Sequence, residues 1–170
     1  MQRLTHSKLY IEHLKNNLSI PFFIGGSSYR GSEEPNDIDI LIDNREVRKL
    51  KNIIFCRGTP LVAYGKFKFE DKIIHFHATK MKYFPHFKFL LKGPSSFVDH
   101  VMELSLNKKN MYLTHFGFIK NPYIKKRIKN HILEGILEED DITITFQSEK
   151  EISKFLLIDN PTKEMRKSFE

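Results

Sequence analysis

A chain of 170 residues is long enough to bury a real core, and its length suits one compact domain or two small lobes sharing a cleft. Its 28 Lys and Arg against 21 Asp and Glu give a formal net charge of +7, which favours an anionic partner: nucleic acid, nucleotide or a membrane surface. The single cysteine, Cys56, excludes an intramolecular disulfide framework and a cysteine-based zinc finger, and fits a reducing compartment.

Leu4, Leu9, Ile11, Leu14 and Leu18 recur at roughly helical spacing, which predicts an amphipathic helix over residues 4–18, closed by Pro21. His6 and His13 stand too far apart in helical phase to act as a ligand pair. The same opening stretch carries charges throughout and lacks the apolar run of a signal peptide. No stretch of about 18 apolar residues occurs anywhere, so the expectation is a soluble intracellular protein without a membrane span. "FFIGG" and "DIDILID" read as two short strands joined by a polar loop, and "NREVRKLKN" as a following helix or turn. Cys56 follows an apolar run and is expected to be buried. In "YGKFKFEDKIIHFHA", residues 64–78, apolar and polar types alternate on either side of Glu70 and Asp71, the pattern of a strand hairpin. Its second arm sets His75 and His77 on one face and Ile74 and Phe76 on the other.

From Pro85 the texture becomes helical. "HFKFLLKG" is followed by "PSSFVDHVMELSLNKKN", with Pro94 at the helix start and Asn107 to Asn110 at its end. "MYLTHFGFIKN" reads as a hairpin, residues 122–141 as an inserted helix or long surface loop, and "ITITF" as a strand. A last helix starts at "SEKEISKFL", where Ser148 and Glu151 have capping-box spacing. The order of elements predicts an α+β fold with a seam near Gly93.

Asp37 and Asp39 lie two apart on a predicted strand, so both carboxylates face one side. Adjacent carboxylates repel unless a cation lies between them. Mg²⁺ takes one or two carboxylates plus substrate phosphate oxygens, and metal ions so held clamp an in-line phosphoryl displacement. Upstream, Gly25, Gly26 and Ser27 can offer backbone N–H groups and a hydroxyl to phosphate, and Arg30 a cation that forks onto it.

Gly26-Ser27, nine residues, then Asp37-x-Asp39 flanked by Ile38 and Ile40 resembles the signature of the nucleotidyltransferase superfamily, and "GSSYRG" resembles the G-S-F-R-R-G element of family X DNA polymerases. A second block, residues 90–121, resembles the F-T-G-[SP] turn, template-side helix and hairpin of that family, and "SEKEISKFLLIDNPTKEMR" its C-terminal helix and tail. The resemblance covers most of the chain and leaves no room for an N-terminal lyase region, so it points to the minimal virus-encoded members. It implies a nucleotidyltransferase palm over residues 1–90, a mixed sheet with helices, and a small helical and hairpin subdomain over 91–170 that clamps nucleotide and template.

By the same resemblance Asp37 and Asp39 hold the nucleotide-bound Mg²⁺, with Mn²⁺ as an alternative. Gly26, Ser27, Arg30, Leu90, Leu91 and Gly93 form the nucleotide site. The third family aspartate, eighteen residues before Gly93, falls on His75. His75 can act as a general base, ligate Mn²⁺ or Zn²⁺, or merely be a polar residue on a cleft-facing strand. Asp71 lies four residues from that position, about 13 Å along a strand, too far to replace the missing carboxylate. Leu91 and Lys92 replace the F and T of the turn, and Met102, with His100 near it, replaces a template-contacting arginine. Lys66, Lys68, His100, Lys108, Lys109 and the cluster at 125–129 are candidates for nucleic-acid contact. Phe67, Phe69, Phe76, Phe84, Phe87 and Phe89 are more readily core than stacking residues.

The expected function is therefore addition of nucleotides to a 3′ hydroxyl, on gapped or primer-template DNA, by a monomeric enzyme in a host cell's cytoplasm or nucleus if virus-encoded. The alternatives are a catalytically impaired nucleotide- or nucleic-acid-binding protein on the same scaffold, and transfer to RNA or another acceptor.

Overall fold

The computed structural model describes residues 6–32, 38–120 and 137–170. Leu4, Asp37 and the basic cluster at 125–129 lie outside the described residues.

Helix α1 (His6–Asn17) is amphipathic as expected, but the residues it buries are Tyr10 and Leu14, spaced by four, with Leu18 partly buried just past its end, while Leu9 is exposed. Tyr10 gains a place in the core because its hydroxyl reaches a partner, donating to Phe69 O at 2.8 Å. Next come β1 (Phe23–Gly25), the single-turn helix α2 (Gly26–Tyr29) and β2 (Ile38–Asp43), then a 3₁₀ turn over Asn44–Lys49. Three antiparallel-linked strands complete the sheet: β3 (Ile53–Gly58), β4 (Val62–Phe69) and β5 (Lys72–Thr79).

The sheet is mixed, in the order β1-β2-β5-β4-β3, with β2 and β5 parallel and every other pair antiparallel. Its period of two separates the faces. Ile38, Ile40, Ile42, Phe67, Ile74 and Phe76 are buried against α1. The opposite face carries Asp39, His75 and Lys66 in one hydrogen-bonded row.

Strand β3 corrects one expectation. Cys56 is exposed, as is every residue of β3, because this edge strand stands beyond the core and pairs on one side with β4. An apolar run such as Ile53-Ile54-Phe55 does not by itself show burial. The register shifts between Ile53 and Phe55, and Gly65 on β4 permits it: a Cβ there would collide with the carbonyl oxygen of Phe55.

The second half contains α3 (Phe84–Leu91), α4 (Ser95–Lys109), the short hairpin β6 (Tyr112–Leu113) and β7 (Phe118–Ile119), α5 (Glu149–Phe155) and α6 (Lys163–Lys167). Pro94 caps α4, which ends at Asn110 in the left-handed region with φ 52°. Ser148 caps α5 by accepting from Glu151 N at 3.1 Å. Instead of a strand, "ITITF" makes an isolated bridge in which Phe118 and Ile144 exchange hydrogen bonds of 2.8 and 3.2 Å. Two residues on, Phe146 donates its N–H to His86 Nε2 at 2.9 Å, which draws the chain away from the hairpin.

His86 is fully buried, and burial pushes its imidazole down to about 4 from 6.5. The unfolded chain therefore takes up this proton at higher pH than the folded one. The stability contributed by the neutral ring is complete above pH 6.5 and is lost as pH falls through about 4, a change of about 3 kcal/mol. Denaturant titrations across this window should show that loss. His86→Gln, which keeps an acceptor for Phe146 N, should flatten it; an unchanged acid limb would contradict the assignment.

Candidate active site

The carboxylate of Asp39 is held at the junction of three elements. Antiparallel pairing sets Asp39 opposite Gly25, the last residue of β1, and the chain turns at once into α2 through Gly26. Gly26 has φ +60°, and a Cβ on it would lie 2.5 Å from Asp39 Oδ2. Only a residue without a side chain lets the backbone and the carboxylate approach this closely. On its other side Asp39 is paired with His75 across the parallel strands, and His77 Nε2 lies 3.8 Å from Asp39 Oδ1.

His77 thus brings an imidazole to this carboxylate, although the count from Gly93 singles out His75. The alternation of the second hairpin arm puts both histidines on this face, so strand parity alone does not rank them. Among the described residues no three His, Cys, Asp or Glu side chains converge on one point that could hold a metal ion. Asp39 is about one-quarter exposed, so its remaining lone pairs are open to a ligand.

Around α2, Ser27 is half-buried, and Ser28 is buried with no hydrogen-bond partner for its hydroxyl among the described residues. Arg30 donates from Nε to Glu170 Oε1 at 2.6 Å and from an η nitrogen to Lys92 O at 3.3 Å. Lys92 in turn meets the Glu149 carboxylate at 2.9 Å, and Lys92 and Lys163 stand over the Tyr29 ring at 5.1 and 5.4 Å from its centroid. Cationic groups from α2, the α3–α4 turn and α6 therefore gather at one place, with two glutamates between them.

Leu91 closes onto this region: a Cβ on Gly25 would lie 2.5 Å from Leu91 Cγ. Leu90 is fully buried in the C-terminal cluster, and Gly93 lies so close to Phe97 that a Cβ would enter its ring. Lys66 and Lys68 are exposed on the face that carries Asp39 and His75. Lys108, Lys109 and His100 belong elsewhere: Lys108 donates to Leu156 O at 3.2 Å, Lys109 stands 4.7 Å from the Phe155 ring centroid, and His100 packs on Phe169. Met102 packs against the C-terminal cluster.

The fold around this site is similar to that of polymerase beta from Leishmania infantum. Its ternary P/T complex superposes with a TM-score of 0.63 at 18% identity, over 95% of this chain and 73% of that one. The fold is polymerase beta-like. Its ternary gap complex gives a TM-score of 0.61 at 15% identity, over 95% of this chain and 67% of that one. No family model and no curated protein matches the sequence. At such identities the likeness is one of fold, and the chemistry must be argued from the side chains. No helix among the described residues is long and apolar enough to cross a membrane.

Proposed function

We propose that the chain is a nucleotidyltransferase that adds nucleotides to the 3′ hydroxyl of DNA, of the family X type. The observation that carries this reading is Asp39, one oxygen against the start of α2 and the other 3.8 Å from His77. Residues 1–90 act as the palm and 91–170 as the part that clamps nucleotide and template.

Asp39, with Asp37 beside it in sequence, suits Mg²⁺ or Mn²⁺, which take most of their remaining ligands from triphosphate oxygens. When bound, such an ion supplies charge stabilisation to phosphoryl transfer. The chain's own residues orient the substrate. The Gly26 backbone and the Ser27 hydroxyl cradle phosphate, and Arg30 exchanges Glu170 for it. Gapped or primer-template DNA lies on the open face, where Lys66 and Lys68 meet its backbone.

The test is extension of a labelled primer on gapped DNA with all four deoxynucleotides, in Mg²⁺ and in Mn²⁺. Extension should occur with the wild-type chain and disappear with Asp39→Asn; equal extension by both would sink the reading. A second reading, a binding protein whose chemistry has lapsed, is favoured by the imidazole of His75 beside Asp39 where the family carries a third carboxylate. Under that reading the wild type binds nucleotide without extending the primer, and His75→Asp restores turnover.

A further inference from the structure

We propose that the sheet carries a stacking platform for unpaired bases, centred on Phe55 and Tyr64, so that the preferred acceptor has a single-stranded segment rather than a fully paired end. This rests on the transfer reading for the position of the 3′ end at Asp39.

The register places the platform. Asp39 pairs with His75, His75 with Lys66 and Lys66 with Phe55, so these four side chains form one row across the open face. In the next row Tyr64 stands between His77 and Arg57. Phe55 is 47% exposed, an unusual state for a phenylalanine in a sheet. Its ring lies 6.3 Å from that of Tyr64, centroid to centroid, at 54°. The backbone is shaped to present it. The register shift beside Phe55 and the missing side chain of Gly65 bring β3 close to β4 at this point, and a bulge of this kind re-aims a side chain.

The charge on this surface selects the occupant. Arg57, Lys66 and Lys68 are exposed around the two rings, and residues 53–69 contain no Asp or Glu. Aromatic faces among cations suit a single strand, whose bases stack on rings while its phosphates meet the lysines and arginine. A continuous duplex offers no free base face, since its bases stack on one another. Three strand spacings of about 4.8 Å put Phe55 about 14 Å from Asp39, the reach of a short unpaired segment behind a 3′ end.

The test is equilibrium binding by fluorescence anisotropy at fixed salt, without metal or nucleotide, so that its result does not depend on transfer activity. Three labelled DNAs are compared: a single strand, a duplex with a 3′ overhang and a blunt duplex. The first two should bind more tightly than the third. Phe55→Ala should weaken the first two about tenfold and leave the blunt duplex unchanged. Phe55→Leu, which keeps an apolar side chain but no ring, should behave like the alanine variant. A 2-aminopurine in the overhang should lose its quenching in both variants. Equal binding of all three DNAs, or leucine and alanine variants that match the wild type, would overturn the proposal. So would variants whose sole defect is loss of self-association in sedimentation, which would make β3 an edge for a second chain. If the platform behaves as stated while Asp39→Asn and wild type extend primers equally, the transfer reading fails and the binding surface stands.

Discussion

Gly26→Ala is expected to reduce metal-dependent nucleotide addition by about 100-fold, the scale on which displacing a reacting group by about 1 Å is felt. Two separate costs meet at this residue. Its φ of +60° disfavours any L side chain by about 1–2 kcal/mol, and the new methyl would sit 2.5 Å from Asp39 Oδ2. The carboxylate, more mobile than the backbone, must move. Gly31 separates the two costs, because it has φ +87° but nothing within 4 Å of the place its methyl would take. Gly31→Ala should therefore lower the melting temperature by an amount similar to that of Gly26→Ala, yet leave primer extension near the wild-type rate. Equal activity loss in both variants would show that loop strain, not the approach to Asp39, governs the site.

Arg166→Met should destabilise the protein by about 3–5 kcal/mol, the usual result of removing one member of a buried, hydrogen-bonded ion pair. Its side chain is 1% exposed and donates to Pro161 O at 2.6 Å, Phe89 O at 3.2 Å and Glu149 Oε1 at 3.4 Å. The guanidinium carbon also lies 5.6 and 5.2 Å from the ring centroids of Phe89 and Phe97. Burial lowers its pKa and the Glu149 charge opposes that shift. Methionine fills much of the volume but leaves two carbonyl oxygens without a donor. Glu149 keeps Lys92, so Glu149→Gln alone should cost less. The measurement is the midpoint of denaturant unfolding, with the slope unchanged. A shift below about 1 kcal/mol would mean that water reaches those carbonyls.

The parts of the fold that could be read from sequence are those in which pattern and burial coincide. The hairpin of β4 and β5 alternates because one face is buried against α1 while the other is open at Lys66 and Lys68, though its Val62 and Thr79 end is buried, Val62 under a second cluster. Ser148 marks the start of α5 by a local hydrogen bond. Strand β3 has the composition of a buried strand but lies at a sheet edge, a distinction set by its neighbours rather than its residues. Arg166 sits in the charged stretch "KEMRK", where nothing local marks it as buried, because its acceptor on Phe89 is 77 residues away. The contact of Arg30 with Glu170 spans 140 residues and has no local signal at all.

For the site, the motif located Asp39 and the glycine turn beside it, because strand parity and a tight turn are local properties. The approach of His77 to Asp39 depends on how parallel strands β2 and β5 twist past one another, which spacing along one strand does not encode.

The most direct test of the central claim is binding of a fluorescent deoxynucleoside triphosphate to wild type and Asp39→Asn, each with and without Mg²⁺. A metal-triphosphate site at Asp39 predicts that Mg²⁺ tightens binding to the wild type and that the variant loses most of this gain, at least about tenfold, as expected when a direct metal-bound carboxylate is removed. Binding of the same strength in both proteins, with or without the metal, would contradict it.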